Sequence, residues 1–412
     1  MATPLTECLV CRSRRLEEVL SLGEMPPVNS FLARPEEIAS ERRHPLAIAF
    51  CTSCSHVQLT HVLDPTELFT DYLYFSSMSE TVVQWGAELA RRYERELSLG
   101  QGDLVVELAS NDGCVLKPFM GHCRVLGVEP AKNIAEVANA SGVPTRAEFF
   151  DGKLADQLAT AMGPARLILA RNVVAHVPRV VDFIAGAGRW LGPDGILHVE
   201  VPYVSEMVAK VEFDTIYHEH VSYFSVTALD RLFREAGIVL WDVEEIPLHG
   251  GSLVARGKRT GARPTARALR YLEDEKARGL TGMEVYRAFA ASTEALRSRL
   301  PELLWDLRKR GKTLAGYGAA AKGVVLTNYC HIGRDLLPFV ADLSPYKQGR
   351  LMPGVHIPVV SPDEILQSRP DYLLVLAWNF FEEIARQQRV YRERGGRFIL
   401  PVPVPTIRPD EG

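Results

Sequence analysis

Between Glu80 and Leu99 the apolar residues Val82, Trp85, Leu89, Tyr93 and Leu97 recur at helical spacing. After Gly100-Gln101-Gly102 the pattern changes to short, mostly apolar runs. Leu104–Ala109, Val125–Pro130, Leu167–Ala170 and Gly195–Glu200 read as buried strands, and Asn133–Ala140 and Val180–Trp190 read as helices between them. A helix start is also expected after Gly113. Strands alternating with helices predict a parallel, doubly wound sheet. A second alternation begins near residue 312, with strands at Thr313–Gly318, Pro338–Asp342 and Tyr372–Ala377 and a helix over Ala319–Tyr329. Residues 265–310 are largely helical, with Phe289, Leu296, Leu300, Leu303 and Leu307 on one face and a bend expected at Pro301.

The first 70 residues follow neither pattern. They carry several prolines, one short strand at Leu46–Cys51 and two knuckles, Cys8-x-x-Cys11 and Cys51-x-x-Cys54. Two such pairs supply four thiolates to one tetrahedral zinc, and a small segment without a long periodic core needs that staple. A closed four-thiolate site leaves no open position for catalysis, so the metal is expected to be structural. The expected division is 1–70 zinc module, 71–260 first α/β unit and 261–412 helical connector with second α/β unit.

A formal charge of −4 argues against nucleic acid or an anionic membrane as the main partner. No apolar run approaches the roughly 20 residues that span a bilayer. Cys114, Cys123 and Cys330 are scattered, as expected of reduced thiols in a cytoplasm.

Three places carry chemistry. The first is the strand-end turn Glu107-Leu108-Ala109-Ser110-Asn111-Asp112-Gly113, with Glu129 closing the next strand, where open α/β sheets bind ligands. An acid at Glu129 suits a ribose, and a turn with one clear glycine favours S-adenosylmethionine over NAD. Asn172 and His176 are candidates for the same crevice, while Asp112 reads equally as a helix cap.

The second is Tyr217-His218-Glu219-His220. An imidazole there can take a proton from carbon beside a carbonyl, a carboxylate can orient it, and a tyrosine hydroxyl can hold an enolate oxygen. A metal role for His218 and His220 is weaker, since an i, i+2 pair shares a face only in a strand. The third is Gly316-Tyr317-Gly318-Ala319-Ala320-Ala321-Lys322, a G-x-G-x-x-A turn opening a helix, followed by Asp342, Lys347 and Gln348. It suits either NAD or a diphosphate carried by the substrate, or simply tight strand–helix packing. Two further groups, Tyr72 with Tyr74 and the turn His249-Gly250-Gly251, are plausible neighbours of the cleft.

Taken in order, the two CxxC pairs, the Tyr-x-Tyr segment, the Glu107–Gly113 turn and Gly127-Val128-Glu129-Pro130 resemble the S-adenosylmethionine-dependent sugar C-methyltransferases that act on nucleotide-linked keto-deoxysugars. The likeness continues through Tyr217–His220, His249-Gly250-Gly251, Gly316–Lys322 and Lys347-Gln348. The resemblance implies a zinc-binding N-terminal domain, a central class I methyltransferase domain and a C-terminal Rossmann-like domain holding a nucleotide sugar, most readily a dTDP sugar. It also implies His220 as general base, Glu219 and Tyr217 as its assistants, Tyr72 and Tyr74 near the sugar, and methylation at C3, alpha to a C4 ketone. The rivals are an NAD-dependent oxidoreductase or epimerase using Gly316–Ala321, and a non-enzymatic zinc-ribbon protein that senses a nucleotide.

Overall fold

The computed structural model describes residues 2–69, 75–246 and 251–408. Three sheets organise the chain. Near the N-terminus, β1 (Leu16–Met25), β2 (His44–Cys51) and β3 (Val57–Leu59) form an antiparallel meander. The helix α1 (Glu80–Leu97) then leads into the central sheet, capped by Ser79, whose side chain accepts from the Val82 N–H.

The central sheet contains β4 (Leu104–Leu108), β5 (Arg124–Val128), β6 (Thr145–Arg146), β7 (Ala165–Arg171) and β8 (Leu191–Pro202). Between them run α2 (Lys132–Ala140), α3 (Gly152–Met162) and α4 (Val180–Trp190). After β9 (Ser222–Tyr223) and α5 (Val226–Glu235), the hairpin β10 (Ile238–Ile246) and β11 (Ser252–Arg259) adds antiparallel strands beside β8. The order is β10-β11-β8-β7-β4-β5-β6, with β4 to β8 parallel.

Successive strand residues point to opposite faces, which explains the continuous apolar runs. Val105, Leu167, Leu169 and Ile196 pack with Leu89 and Tyr93 of α1. Val106, Leu108, Ile168, Ala170 and Leu197 pack on the other side with Phe183 and Ile184 of α4. The face of α1 also carries two polar tips. Trp85 Nε1 donates to Glu200 (2.7 Å), and the Tyr93 hydroxyl meets His198 Nδ1 (2.7 Å), whose Nε2 lies 2.9 Å from Glu200.

Two helices, α6 (Ala266–Ala277) and α7 (Glu284–Lys309), lead to the third sheet. It comprises β12 (Leu314–Tyr317), β13 (Val340–Ala341), β14 (Val359–Val360), β15 (Tyr372–Val375), β16 (Arg397–Leu400) and β17 (Thr406–Arg408), ordered β14-β13-β12-β15-β16-β17. All but β17 are parallel, and α8 (Ala321–Tyr329) follows β12.

One local expectation fails. No α-helix starts after Gly113; turns and a short 3-10 piece at Lys117–Phe119 stand there, with Pro118 at its start. The helix α7 runs through Pro301 as one element, with Leu304 fully buried and Leu303 partly buried against the same core.

The meander does not stand apart. β9, from the segment that holds His220, pairs antiparallel with β3, setting Ser222 opposite Gln58 and Tyr223 opposite Val57.

Candidate functional site

At the N-terminal sheet, the Sγ atoms of Cys8, Cys11, Cys51 and Cys54 all lie within 4.8 Å of one another. The Cys8–Cys54 and Cys11–Cys51 pairs are each 3.6 Å apart. Thiolates about 2.3 Å from one tetrahedral ion sit roughly 3.8 Å from each other, so the four residues fit zinc. Three of the cysteines are buried. No oxygen ligand joins the cluster among the described residues, which suits a closed, structural centre.

A cavity of about 750 Å³ lies between the carboxyl ends of the central strands and the third sheet. Its volume is that of a ligand site. One half is formed by Glu107, Ala109, Ser110, Asn111 and Glu129, together with Asn172 and His176. The backbone here is strained: Ala109, Asn111 and Asn172 adopt φ of 54°, 50° and 50° without being glycine. Nothing in the residue pattern signals that strain. Gly127 is required for another reason, since a Cβ on it would fall 2.4 Å from Ser110 Oγ.

The acids of this half differ in state. Glu129 accepts from the N–H groups of Asn111 (2.8 Å) and Ala131 (2.9 Å), so it braces the turn while facing the cavity. Burial raises its pKa against those two bonds. Glu107 is pushed up to about 8 by burial, with Arg171 opposing. Arg171 is shared: its Nη1 is 3.6 Å from Glu107 and its Nε 3.0 Å from Glu200. One Glu107 oxygen, Oε2, is buried with no hydrogen-bond partner among the described residues.

Asp112 turns away from the cavity. It accepts from the Ser77 N–H (3.1 Å), while Asn111 Oδ1 accepts from Ser76 N–H (2.8 Å) and Asp112 N–H (3.0 Å). Gly113 has φ 77° in the same turn and does not line the cavity.

On the facing wall stand Tyr217, His220 and Tyr223. His220 Nδ1 lies 2.9 Å from the Thr215 carbonyl, which only accepts, so Nδ1 carries the proton. The Nε2 lone pair therefore receives the Tyr217 hydroxyl at 2.8 Å. Burial, helped by the neighbouring His176 ring at 4.8 Å, holds the His220 pKa well below the ordinary imidazole value. Burial also lowers His176 to about 4.

Glu219 points elsewhere. It is buried, accepts from Asn29 Nδ2 at 2.6 Å, and is raised to about 7 by burial. The His218 imidazole meets the His44 carbonyl oxygen (3.3 Å), so it and His220 diverge.

The other half of the cavity is closed by Ala320, Ala321 and Lys322 at the start of α8, and by Glu212. No side chain among the described residues caps this helix, whose first residues line the cavity. Lys322 Nζ lies 3.3 Å from Glu212 and 4.5 Å over the Trp378 ring. Gly318, at φ 88°, is held to glycine by Ala377, because a Cβ at position 318 would fall 2.7 Å from the Ala377 Cβ.

The remaining residues of this group brace the turn. Lys347 Nζ donates to the Ala319 carbonyl (2.9 Å), Gln348 Nε2 donates to the Asp342 carbonyl (2.9 Å), and Asp342 caps the Ser344 N–H (2.8 Å). Gly316 and Tyr317 lie in β12, with the Tyr317 hydroxyl turned to Gln387 (3.2 Å). Tyr72, Tyr74 and His249 lie outside the described residues.

Comparison with known proteins agrees with this geometry. Residues 8–69 match the family described as "Putative zinc binding domain", residues 81–243 a methyltransferase domain, and residues 247–403 the C-methyltransferase C-terminal domain. The sequence is 38% identical to the C-methyltransferase NovU of Streptomyces niveus over 98% of this chain and 97% of that protein. Two solved structures resemble it over 43% of its length. They are the CcbJ methyltransferase of Streptomyces caelestis (15% identity, 90% of that chain, TM-score 0.33) and an S-adenosylmethionine-dependent methyltransferase of Clostridium acetobutylicum (9%, 92%, TM-score 0.34).

The central sheet and its strand-end crevice are those of a class I S-adenosylmethionine-dependent methyltransferase with an N-terminal zinc-binding cysteine cluster. Within that class the chain belongs to the C-methyltransferase family that includes NovU. Among the described residues no helix is long and apolar enough to cross a membrane.

Proposed function

We propose that the protein methylates a carbon, C3, alpha to the C4 ketone of a dTDP-linked deoxysugar. The single observation that carries this reading is the Tyr217–His220 pair on a wall common to both halves of one cavity. A methyl acceptor carbon is nucleophilic only after losing its proton, so a neutral imidazole at that position is the part the chemistry needs.

Glu107, Ala109, Asn111 and Glu129 hold S-adenosylmethionine, with Asn172 and His176 beside it and Asp112 and Gly113 shaping the turn. When bound, the cofactor supplies an electrophilic methyl group on sulfur. His220 Nε2 receives the alpha proton, and the Tyr217 hydroxyl, released from that lone pair, donates to the enolate oxygen. The enolate carbon so formed would take that methyl group from sulfur, the C–C bond replacing the methyl–sulfur bond, with S-adenosylhomocysteine as the leaving group. Glu219 acts on the orientation of this segment.

The open N-terminus of α8 and Lys322 receive the substrate diphosphate. Gly316, Tyr317, Gly318, Asp342, Lys347 and Gln348 give the turn its shape, and His249 contributes from its own turn, as do Tyr72 and Tyr74 at the sugar. In this reading residues 1–70 are the metal module, 71–260 the cofactor unit and 261–412 the nucleotide-sugar unit, and the enzyme works in the cytoplasm, where Cys114, Cys123 and Cys330 stay reduced.

The test is turnover of dTDP- and UDP-linked 4-keto sugars with S-adenosylmethionine, with the product's carbon connectivity read by NMR. A new C–CH3 bond at C3 is expected. Retention of labelled NAD in place of S-adenosylmethionine, or absence of methyl transfer to any of the sugars, overturns the reading.

A further inference from the structure

The segment that holds His220 is gripped by the N-terminal module at four places. β9 pairs with β3. His56 Nε2 meets Ser222 Oγ at 3.2 Å, and His218 meets the His44 carbonyl. The fourth contact is a side chain on a loop: Asn29 Nδ2 donates to Glu219 Oε1 at 2.6 Å. Glu219 is 3% exposed and immediately precedes His220. A buried carboxylate held by so short a bond fixes its own peptide closely, and the next peptide carries the imidazole.

Three residues further along, the same loop reaches the connection between β13 and β14. Leu32 N–H donates to the Leu351 carbonyl (3.1 Å) and Leu351 N–H donates back (2.9 Å). Between them the Phe31 ring lies 5.4 Å from Lys347 Nζ, the ammonium that braces the Ala319 carbonyl of the glycine turn. Residues 29–32 thus run from the carboxylate beside the base to the loop that shapes the second half of the cavity.

We propose that Asn29–Leu32 is a strap that holds the His220 segment in register with the glycine turn, and that Asn29 is its positioning residue. Asn29 does not line the cavity. It acts through Glu219, and its loss changes where the imidazole sits rather than what binds. The kinetic part of this inference rests on the proposed function; the structural part does not.

Hydrogen–deuterium exchange of the full chain tests the strap without substrate. Asn29→Ala is expected to raise deuterium uptake in peptides spanning 213–224 several-fold, with the peptides that carry the two cysteine knuckles, 8–11 and 51–54, unchanged. Glu219→Gln keeps an acceptor for Asn29 and is expected to stay near wild type. Unchanged uptake in Asn29→Ala, or equal uptake increases throughout the N-terminal module, overturns the strap.

Turnover of dTDP-4-keto-6-deoxyglucose tests positioning. Asn29→Ala is expected to lower kcat roughly ten- to a hundredfold with KM for the sugar within twofold, the signature of a displaced group. Asn29→Ala with Glu219→Gln should lose no more than the worse single variant. A wild-type kcat in Asn29→Ala, or a loss confined to KM, refutes the positioning role. If the wild-type protein neither methylates the sugar nor exchanges its alpha hydrogen, the proposed function has failed, and the exchange data still decide the strap.

Discussion

The Tyr217 hydroxyl donates to Nε2 of His220 at 2.8 Å while Nδ1 of the same ring donates to the Thr215 carbonyl at 2.9 Å. One ring nitrogen is thereby fixed as donor and the other as acceptor, its lone pair held by the Tyr217 hydroxyl. Replacing His220 by Ala is expected to lower kcat by about 10²–10⁴-fold, the usual share of a general base. Affinity for S-adenosylmethionine, measured by calorimetry, should stay within a few-fold.

The same pair sets a pH profile. In the proposed reaction His220 works neutral, and burial, with the His176 ring beside it, holds its pKa below the ordinary 6.5. The rate should therefore be full at neutral pH and fall only as pH drops through that lowered value. Tyr217→Phe removes a donor that favours the neutral ring, so the acid limb of kcat/KM should move upward, toward 6.5. A limb that stays put would show that the hydroxyl does not bear on the proton.

On the cofactor side, Glu129 satisfies two backbone N–H groups at once. Glu129→Ala strands both in a buried turn, at about 1–3 kcal/mol for each lost partner. The dissociation constant for S-adenosylmethionine should rise at least tenfold, with little change in KM for the sugar.

Lys322 makes the converse prediction. Lys322→Met removes the cation between Glu212 and Trp378 and leaves the Glu212 carboxylate without it. The KM for the nucleotide sugar should rise about tenfold by steady-state kinetics, while S-adenosylmethionine affinity holds.

Metal analysis should find about one zinc per chain. Cys51→Ser, or prolonged chelation, should cut the melting temperature and release the N-terminal sheet, because such sites supply folding energy directly. A metal-free variant with unchanged melting would contradict the assignment of Cys8, Cys11, Cys51 and Cys54.

Much of this was legible in the chain. Runs such as Val125–Val128 and Leu167–Ala170 are apolar throughout because both sheet faces are covered, so strand position follows from sequence alone. The four cysteines announce their cluster by spacing, and His220 is conspicuous among polar neighbours.

Side-chain direction was not legible. Asp112 reads as a ligand but serves the Ser77 N–H, and Lys347 reads as a phosphate clamp but serves the Ala319 carbonyl. Both polar groups answer backbone needs that only the turn's path creates. Glu219 and His220 are adjacent in sequence and read as partners, yet one faces Asn29 and the other the cavity. The two-residue strand Ser222–Tyr223 is too short for any periodic signal, and its partner lies far away along the chain.

That short strand has a consequence for anyone who recombines such enzymes. Because Ser222 and Tyr223 complete a sheet whose other strands belong to the N-terminal module, one of them ending at Cys51, the boundary near residue 70 is no seam along which parts can be exchanged. A graft that imports a foreign N-terminal piece must bring matching edges for the 216–223 segment and for Leu351, or the transplanted enzyme will bind both ligands and leave its imidazole misaimed.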